Sequence, residues 1–317
     1  MKKVLVTGAR GYLASLARLY NAGRMEFVCV SHTDVDFSRP DEVEKYFMAA
    51  DFDVCLHMAA DATTAHCEEQ PELTHRVNTE SAIAIAKVCR ERAKRIVFIS
   101  TEQCFNAAPG KAPFYEDDGQ ASVSAYGRQK MEADAWIREN LDDYLILRFS
   151  WMFGLPMPGV KASPSILGNV LAAVRGNKPT AFRVHELRNM TYAQRFAEQL
   201  PQILDLPSGA YHFASQNGLS TYETARLVAS RLGCTEAEVD RLILPDKKTY
   251  ADRPRDFRLA SDKIKAAGIK LGIARATSAW RRTRSRPPAS SSGPSRKTST
   301  AASPTSAGRR FLARSVF

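Results

Sequence analysis

The chain has 317 residues, with 45 Lys and Arg against 34 Asp and Glu for a formal net charge of +11, and 44% of it is hydrophobic. That apolar share excludes a wholly disordered chain, and no apolar run approaches the roughly 18 residues of a membrane-spanning helix. The six cysteines and six histidines show no Cys-x-x-Cys or His-Glu-x-x-His spacing. We therefore expect reduced thiols in a cytoplasmic protein, with no membrane partner and no bound metal.

The excess positive charge lies at one end of the chain. Residues 271–317 hold nine Arg, one Lys and no acid, whereas residues 1–270 carry 35 basic and 34 acidic groups. Ser, Pro, Arg, Thr and Ala supply 36 of those last 47 residues, a composition that cannot bury a core. We expect 271–317 to be a basic, disordered tail, either native or a frame-shifted extension. A nucleic-acid partner is disfavoured, because the tail has one Trp to stack bases and its charges would bind phosphate weakly.

Short apolar runs alternate with helical stretches over the first half of the chain. We predict strands at residues 3–7, 26–30, 53–57, 95–100 and 144–149, and helices between them at 11–22, 40–49, 71–92 and 124–140. Nearly continuous apolar strands are typical of parallel sheets covered on both faces. The alternation predicts an α/β fold, with a doubly wound parallel-sheet Rossmann domain at 1–154 that binds a dinucleotide.

The pattern changes after Trp151. We predict helices at residues 165–175, 191–204, 220–232 and 261–267, a short strand at 210–213, and irregular structure at 239–257. These elements predict a smaller C-terminal substrate lobe at 155–270, partly threaded back onto the main sheet.

The segment after the first strand reads Thr-Gly-Ala-Arg-Gly-Tyr-Leu-Ala. Gly8 allows a turn out of the strand, and Gly11 lets a pyrophosphate approach the helix N-terminus, where free N–H groups favour anions. We therefore assign cofactor binding to Gly8, Arg10, Gly11, Tyr12 and Leu13. A glycine-bearing turn with no ligand is the alternative.

The end of the second strand bears on which dinucleotide is bound. NAD enzymes usually carry an acid there, but this strand ends in Val-Ser-His and the first carboxylate is Asp34. Arg10 could instead meet a 2′-phosphate, and Asp36 would border the adenine. These features favour NADP(H) and leave NAD(H) open.

Tyr126 and Lys130 stand four residues apart on a predicted helix, a spacing that places them on one face. A neighbouring ammonium lowers the pKa of a phenol from its usual value near ~10, so that the pair can exchange protons near neutral pH. Thr101 ends the preceding strand, where its hydroxyl could hydrogen-bond a substrate carbonyl oxygen. The bare Tyr-x-x-x-Lys pattern also arises by chance in many helices.

Several motifs taken in order carry a family resemblance. They are the glycine loop, His-Met-Ala-Ala at 57–60, Val-Asn at 77–78, Ile-Ser-Thr-Glu-Gln-Cys-Phe-Asn at 99–106, Tyr126-x-x-x-Lys130, Leu-Arg-Phe-Ser-Trp-Met-Phe-Gly at 147–154 and Arg-Pro at 253–254. The chain resembles the extended short-chain dehydrogenase/reductases, and within them the dTDP-4-dehydrorhamnose reductase family.

The resemblance implies NAD(P)H-dependent reduction of a nucleotide-linked 4-keto sugar for cell-surface polysaccharide synthesis. Tyr126 would protonate the carbonyl oxygen, Thr101 would polarise that carbonyl, and Lys130 would lower the tyrosine pKa and bind ribose. The remaining residues carried over are Ala59 and Ala60 at the cofactor and Arg253 at the nucleotide sugar. A homodimer is left open.

The sequence departs from the family pattern at several positions, and these departures leave other functions open. Related dehydratases need Asp-Glu after the threonine, whereas this chain has Glu102-Gln103, and an amide cannot accept the proton. That difference favours reduction. The segments 61–67 and 102–104 also differ from the reductase pattern, so the sugar stays open. The alternatives are a non-catalytic NAD(P)-binding regulatory subunit, or an epimerase or dehydratase of nucleotide sugars.

Overall fold

The computed structural model describes residues 1–161, 164–249 and 255–272. The strands are β1 (Lys3–Thr7), β2 (Glu26–Val30), β3 (Val54–His57), β4 (Arg95–Thr101), β5 (Tyr144–Phe149), β6 (Trp151–Phe153), β7 (Thr180–Arg183), β8 (Met190–Tyr192), β9 (Gly209–Phe213) and β10 (Ile243–Asp246). The helices are α1 (Tyr12–Tyr20), α2 (Pro40–Ala49), α3 (Thr64–Glu69), α4 (Pro71–His75), α5 (Ser81–Glu91), α6 (Ala125–Asn140), α7 (Ile166–Arg175), α8 (Ala193–Glu198), α9 (Leu200–Leu204), α10 (Thr221–Arg231), α11 (Glu236–Leu242) and α12 (Asp262–Ala266).

Six strands form one parallel sheet in the order β2-β1-β3-β4-β5-β9. The chain leaves β1 toward β2 on one side and returns to β3 on the other, which creates a switch point between β1 and β3. Ligands in open α/β sheets bind outside the carboxyl ends of the strands at such a point. The predicted doubly wound parallel sheet is confirmed, and it identifies where a site should lie.

Both faces of this sheet are covered, as the apolar strand sequences predict. Because side chains alternate along a strand, Val4 and Val6 of β1 pack with α1, α8 and α9, whereas Leu5 packs with α2 and α5 on the opposite face. All three residues are fully buried. The sheet is thus a rigid middle layer that fixes the loops at its ends.

A separate apolar cluster forms around α7, α10, α11, β7 and β10, with Phe153, Val170 and Val228 among its buried members. Other elements after residue 155 belong to the main sheet, because β9 pairs with β5, and α8, α9 and α12 contribute to the core beside it. The boundary at residue 154 stays a prediction. No helix in the described ranges is both long and apolar enough to cross a bilayer.

The predicted irregular structure at 239–257 is wrong for residues 239–246, which hold the end of α11 and all of β10, the strand that pairs with β7. Residues 247–249 and 255–257 lie in no helix or strand, and 250–254 lie outside the described residues. The local signal for α11 was its capping box, in which Thr235 and Glu238 bond each other's backbone N–H. β10 was not predicted because its four residues show no clear hydrophobic period.

The end of the described chain contacts the fold. Leu271 packs against the core beside the sheet, and the carbonyl oxygen of Gly272 accepts a hydrogen bond from Arg195 Nε at 2.9 Å. The first two residues of the expected basic tail are therefore attached to the domain. Its remainder, 273–317, lies outside the described residues, and so does Arg253. All six cysteines are free thiols.

Candidate active site

The glycine loop joins β1 to α1 at the switch point. Gly8 has a φ of +64°, and a Cβ there would lie 3.2 Å from both the N and Cα atoms of Ala59, so the loop rests directly on the end of β3. The N–H of Gly11 donates to the carbonyl oxygen of Gly8 at 2.8 Å. α1 begins at the next residue, where its first N–H groups have no partner within the helix. The loop therefore has the shape and dipole of an anion-binding turn.

A cleft of about 600 Å³ opens beside this loop, bordered by the ends of β2 and β3. Six predicted cofactor residues line it, namely Gly8, Arg10, Gly11, Asp36, Ala59 and Ala60. Lining residues that were not predicted are Ser31, His32, Phe37, Ser38, Met58, Asp61, Ala62, Thr63, His66, Leu73, Thr74 and Val77. The cleft therefore joins loops that are far apart in the sequence.

Tyr12 and Leu13 were also assigned to the cofactor, but their side chains point into the core. The Tyr12 hydroxyl donates to the carbonyl oxygen of Leu155 at 2.6 Å and accepts from Gln194 Nε2 at 3.0 Å, while burial raises the pKa of Tyr12 to about 12. Leu13 is 8% exposed. Only the backbone N–H groups of these two residues remain for a cofactor, because the first turn of α1 turns both side chains inward.

The two carboxylates that follow β2 each accept hydrogen bonds from a nearby serine. Asp34 Oδ2 accepts hydrogen bonds from the N–H of Ser31 at 2.8 Å and from its hydroxyl at 2.7 Å, and these bonds lower the pKa of Asp34. Asp36 is similarly turned toward Ser38, whose N–H and hydroxyl each donate to it at 2.8 Å. Arg10 is exposed at the cleft edge, and its charge also lowers the pKa of Asp34, so this end of the cleft carries a cation together with two carboxylates.

The start of α6 positions the tyrosine and the lysine. Ser124 caps the helix by accepting a hydrogen bond from the N–H of Gly127 at 3.2 Å, which places Tyr126 in the first turn and Lys130 in the next. At Gly127 a Cβ would lie 2.6 Å from the carbonyl oxygen of Gln103 and would overlap Ser122 Oγ. The helix can therefore press against the turn after β4 only because residue 127 lacks a side chain.

Thr101 and Tyr126 meet at the carboxyl end of β4. Thr101 is 7% exposed, its hydroxyl accepts from the N–H of Gln103 at 3.2 Å, and it lies close enough to the Tyr126 phenol to lower the pKa of that group against the larger effect of burial. Lys130 is 1% exposed, and its Nζ stands 3.8 Å from the centre of the Phe98 ring. The structure therefore places the threonine and tyrosine near each other and the lysine one turn further along α6, and none of the three is among the residues that line the cleft.

The expected lowering of the Tyr126 pKa by Lys130 is wrong for this structure. Burial raises the pKa of Tyr126, and the negative charge of Glu102 raises it further, with only the hydrogen bond from Thr101 opposing them. Burial also lowers the pKa of Lys130 to about 7, against the attraction of Cys104 and Asp134. The phenol is therefore protonated at neutral pH, which is the form that donates a proton.

Sequence reasoning missed two pairs of interacting polar side chains. Asp61 Oδ2 and His66 Nδ1 are 2.5 Å apart in the cleft wall, and Glu102 forms an ion pair with Arg188. Asn78 orders the segment at Asp61, because its side chain accepts from the N–H of Asp61 and donates to the Asp61 carbonyl oxygen. The five-residue spacing of Asp61 and His66 was the only local hint of either pair.

A sequence model of the RmlD substrate-binding domain matches residues 1–282. The chain belongs to the RmlD substrate-binding domain family. The match runs past Lys270, so family likeness continues into the basic segment. Among curated proteins, the chain is 25% identical to the spore coat polysaccharide biosynthesis protein SpsK of Bacillus subtilis, over 85% of this chain and 93% of that protein. It is 26% identical to dTDP-4-dehydrorhamnose reductase of Salmonella typhimurium, over 72% of this chain and 78% of that protein.

Solved structures share the fold at low identity. One is dTDP-4-dehydrorhamnose reductase from Bacillus anthracis in complex with NADP, with a TM-score of 0.73, 19% identity, and coverage of 86% of this chain and 94% of that one. Another is UDP-glucose 4-epimerase from Thermotoga maritima with UDP-glucose, with a TM-score of 0.72, 15% identity, and coverage of 86% and 94%. The architecture is therefore common to reductases and epimerases, and the site residues must distinguish between them.

Proposed function

We propose that the protein is a nicotinamide-dependent reductase of a nucleotide-linked 4-keto sugar, of the extended short-chain dehydrogenase/reductase type. The observation that carries the proposal is the proximity of Thr101 to the Tyr126 phenol, in a chain whose cleft at the β1–β3 switch point is lined by six of the predicted cofactor residues. Relatives named as dTDP-4-dehydrorhamnose reductases support the substrate class. SpsK and the low-salt glycan biosynthesis reductase Agl14 of Haloferax volcanii support a role in cell-surface polysaccharide synthesis.

The residues present fit a nicotinamide dinucleotide. Gly8 and Gly11 line the cleft beside the N-terminus of α1, and Ala59 and Ala60 add small side chains to the same cleft. When bound, the cofactor supplies the hydride. Lys130 would hold the ribose beside the nicotinamide, since a buried ammonium gains from hydroxyl acceptors that replace lost water.

The cofactor is proposed to be NADP(H) rather than NAD(H). A ribose 2′-OH is usually bound by a free carboxylate at the end of β2. Here the Asp34 carboxylate is occupied by Ser31, while Arg10 and His32 border the same part of the cleft. A guanidinium suits a phosphate better than a hydroxyl, because charge-assisted hydrogen bonds are the stronger kind.

Tyr126 would donate its proton to the keto oxygen of the sugar while Thr101 steadies that oxygen with a hydrogen bond. The raised pKa of Tyr126 keeps the phenol protonated until charge develops on the oxygen. Gln103 is unsuited to remove a proton, because its amide is bonded to Glu102 at 3.0 Å and to Asn106 at 3.1 Å. These groups support reduction rather than elimination of water.

The test is NADPH oxidation with a panel of nucleotide 4-keto sugars that includes dTDP-4-dehydro-6-deoxy-L-mannose. We expect turnover with at least one sugar, and Tyr126→Phe should abolish it while leaving NADPH affinity unchanged by calorimetry. Tyr115→Phe, at a tyrosine that is 42% exposed, serves as the matched control. Wild-type turnover in Tyr126→Phe would refute the mechanism. NADPH binding without turnover on any sugar would favour a regulatory subunit.

A further inference from the structure

Four charged side chains form a network beside the candidate catalytic residues. Glu102 follows Thr101 directly, whereas Glu186 and Arg188 lie between β7 and β8, and Arg255 lies near the end of the described chain. Arg188 Nη2 forms an ion pair with Glu102, Arg188 Nη1 lies 3.4 Å from Glu186 Oε1, and Glu186 also pairs with Arg255. The network is neutral and joins the turn after β4 to a distant segment of the chain.

Aromatic rings contact the guanidinium group of Arg188, in addition to the carboxylates that pair with its nitrogen atoms. Its guanidinium carbon lies 5.1 Å from the centre of the Trp151 ring and 5.0 Å from that of Phe257. The Arg188 carbonyl oxygen accepts from Asn217 Nδ2 at 2.8 Å. A planar guanidinium held between two rings has little freedom, and lysine could not reproduce this contact. Arg188 is therefore a rigid counter-ion for Glu102.

Glu102 in turn contacts the catalytic hydroxyl. The Thr101 hydroxyl donates to Glu102 Oε2 at 3.3 Å, and Gln103 Nε2 donates to Glu102 Oε1 at 3.0 Å. Glu102 is only 3% exposed, and burying a charged side chain is costly unless a group of opposite charge pairs with it. A continuous path of polar contacts thus runs from Arg188 through Glu102 and Thr101 to the Tyr126 phenol.

We propose that Glu102 is a positioning residue of the candidate active site, and that Arg188 holds its carboxylate where it orients the Thr101 hydroxyl and the Tyr126 phenol. The catalytic part of this inference rests on the proposed reductase function. Glu102 does not accept or donate the reacting proton. Its contact with the Thr101 hydroxyl is long, at 3.3 Å, so the single proton of that hydroxyl is shared between Glu102 and the keto oxygen, and Glu102 limits the directions in which the hydroxyl can point. The charge of Glu102 also keeps the neighbouring phenol protonated.

The variants are Glu102→Gln, Arg188→Gln and the double variant. Each keeps a polar side chain and removes one charge, and the double variant removes the pair without leaving a buried ion alone. The control is Asp240→Asn, because Asp240 pairs with Arg226 at 2.6 Å on the surface, away from the catalytic residues. Urea unfolding of every variant identifies any that fails to fold.

The first readout needs no substrate. Tyrosine labelled with ¹³C at Cζ gives a resonance for Tyr126 that is assigned by its loss in Tyr126→Phe. We expect this resonance to move at neutral pH in Glu102→Gln and Arg188→Gln, and to stay in place in Asp240→Asn. An unchanged Tyr126 resonance in folded Glu102→Gln would overturn the proposal, whether or not the protein turns over any sugar.

The second readout uses the reduction assay. We expect kcat to fall roughly tenfold in Glu102→Gln, with KM for the sugar nearly unchanged, because misdirected groups slow the chemical step more than binding. The double variant should be no slower than the slower single variant, since both act along one path. Equal kcat in wild type and folded Glu102→Gln would overturn the positioning role.

The pH profile separates this role from a purely structural one. The titratable groups facing the Tyr126 phenol are Glu102 and Cys104 on the turn after β4 and Cys67 on α3, with Lys130 on its own helix. Removing the negative charge of Glu102 lowers the pKa of the phenol, so the alkaline limb of the reductive kcat/KM profile should move down by about one unit. A limb that stays in place in an active Glu102→Gln enzyme would overturn the electrostatic part of the proposal.

Discussion

Replacing Gly127 with alanine would test whether the contact of α6 with the turn after β4 controls both stability and activity. A Cβ at this position would lie 2.6 Å from the carbonyl oxygen of Gln103. Carbon and oxygen atoms normally approach to about 3.3 Å, so the helix must move by roughly 0.7 Å. Overpacking of this kind costs about 1–3 kcal/mol, and the helix gains up to about 1 kcal/mol from alanine. We expect a net loss of about 1–2 kcal/mol in the free energy of unfolding.

Gly168→Ala supplies the matched comparison. It also places alanine near the start of a helix, but the nearest atom to its Cβ is Ser165 Oγ at 3.4 Å, an ordinary contact. That variant should be stabilised by about 0.5–1 kcal/mol. Both free energies come from urea unfolding at equal slope, and turnover of the folded Gly127→Ala protein should fall by about 10- to 100-fold because Tyr126 moves with the helix. If Gly127→Ala is as stable as Gly168→Ala, the packing argument is refuted.

Three further predictions concern buried charge and the cofactor. Asp134→Asn should lower the free energy of unfolding by about 3–5 kcal/mol, because Arg148 is fully buried and pairs with Asp134 at 2.9 Å. A loss of less than about 1 kcal/mol, measured by urea unfolding, would contradict this prediction. Burial lowers the pKa of His57 and His212 to about 3. Between about pH 6.5 and pH 3 the unfolded chain therefore binds more protons than the folded chain, and each histidine lowers the free energy of unfolding by about 1.4 kcal/mol for every pH unit of acidification. A urea midpoint that stays the same from pH 7 to pH 5 would refute this prediction. Arg10→Ala should weaken NADPH about tenfold and NADH little, as measured by calorimetry, and equal weakening of both would remove Arg10 from the 2′-phosphate.

Features set by neighbouring residues could be predicted from the sequence. The predicted strand at 144–149 coincides with β5, because an unbroken apolar run admits few alternatives in an alternating α/β pattern. Tyr126 and Lys130 share a helix because their spacing equals one turn.

Features set by distant contacts could not be predicted. Arg188 meets Glu102 across 86 positions, and polar residues in loops carry no periodic signal that would announce such a pair. The direction of the Tyr126 pKa shift was predicted wrongly, because the spacing indicates a nearby lysine but not how deeply the phenol is buried. The inward side chains of Tyr12 and Leu13 depended in the same way on packing against later segments.

The sixth strand of the sheet has a consequence for the order of events during translation. β9 is made well after β5, yet it covers the edge of β5 and brings His212 to within 3.2 Å of Arg148. Glu116, which bonds the N–H of His212 at 2.9 Å, also accepts from Ser261, which emerges later still. A nascent chain released at residue 154 would expose a bare strand edge and an incomplete buried network, and such edges recruit other chains. Residues 1–154 therefore depend on the later part of the chain to complete the sheet, and they should aggregate when expressed alone.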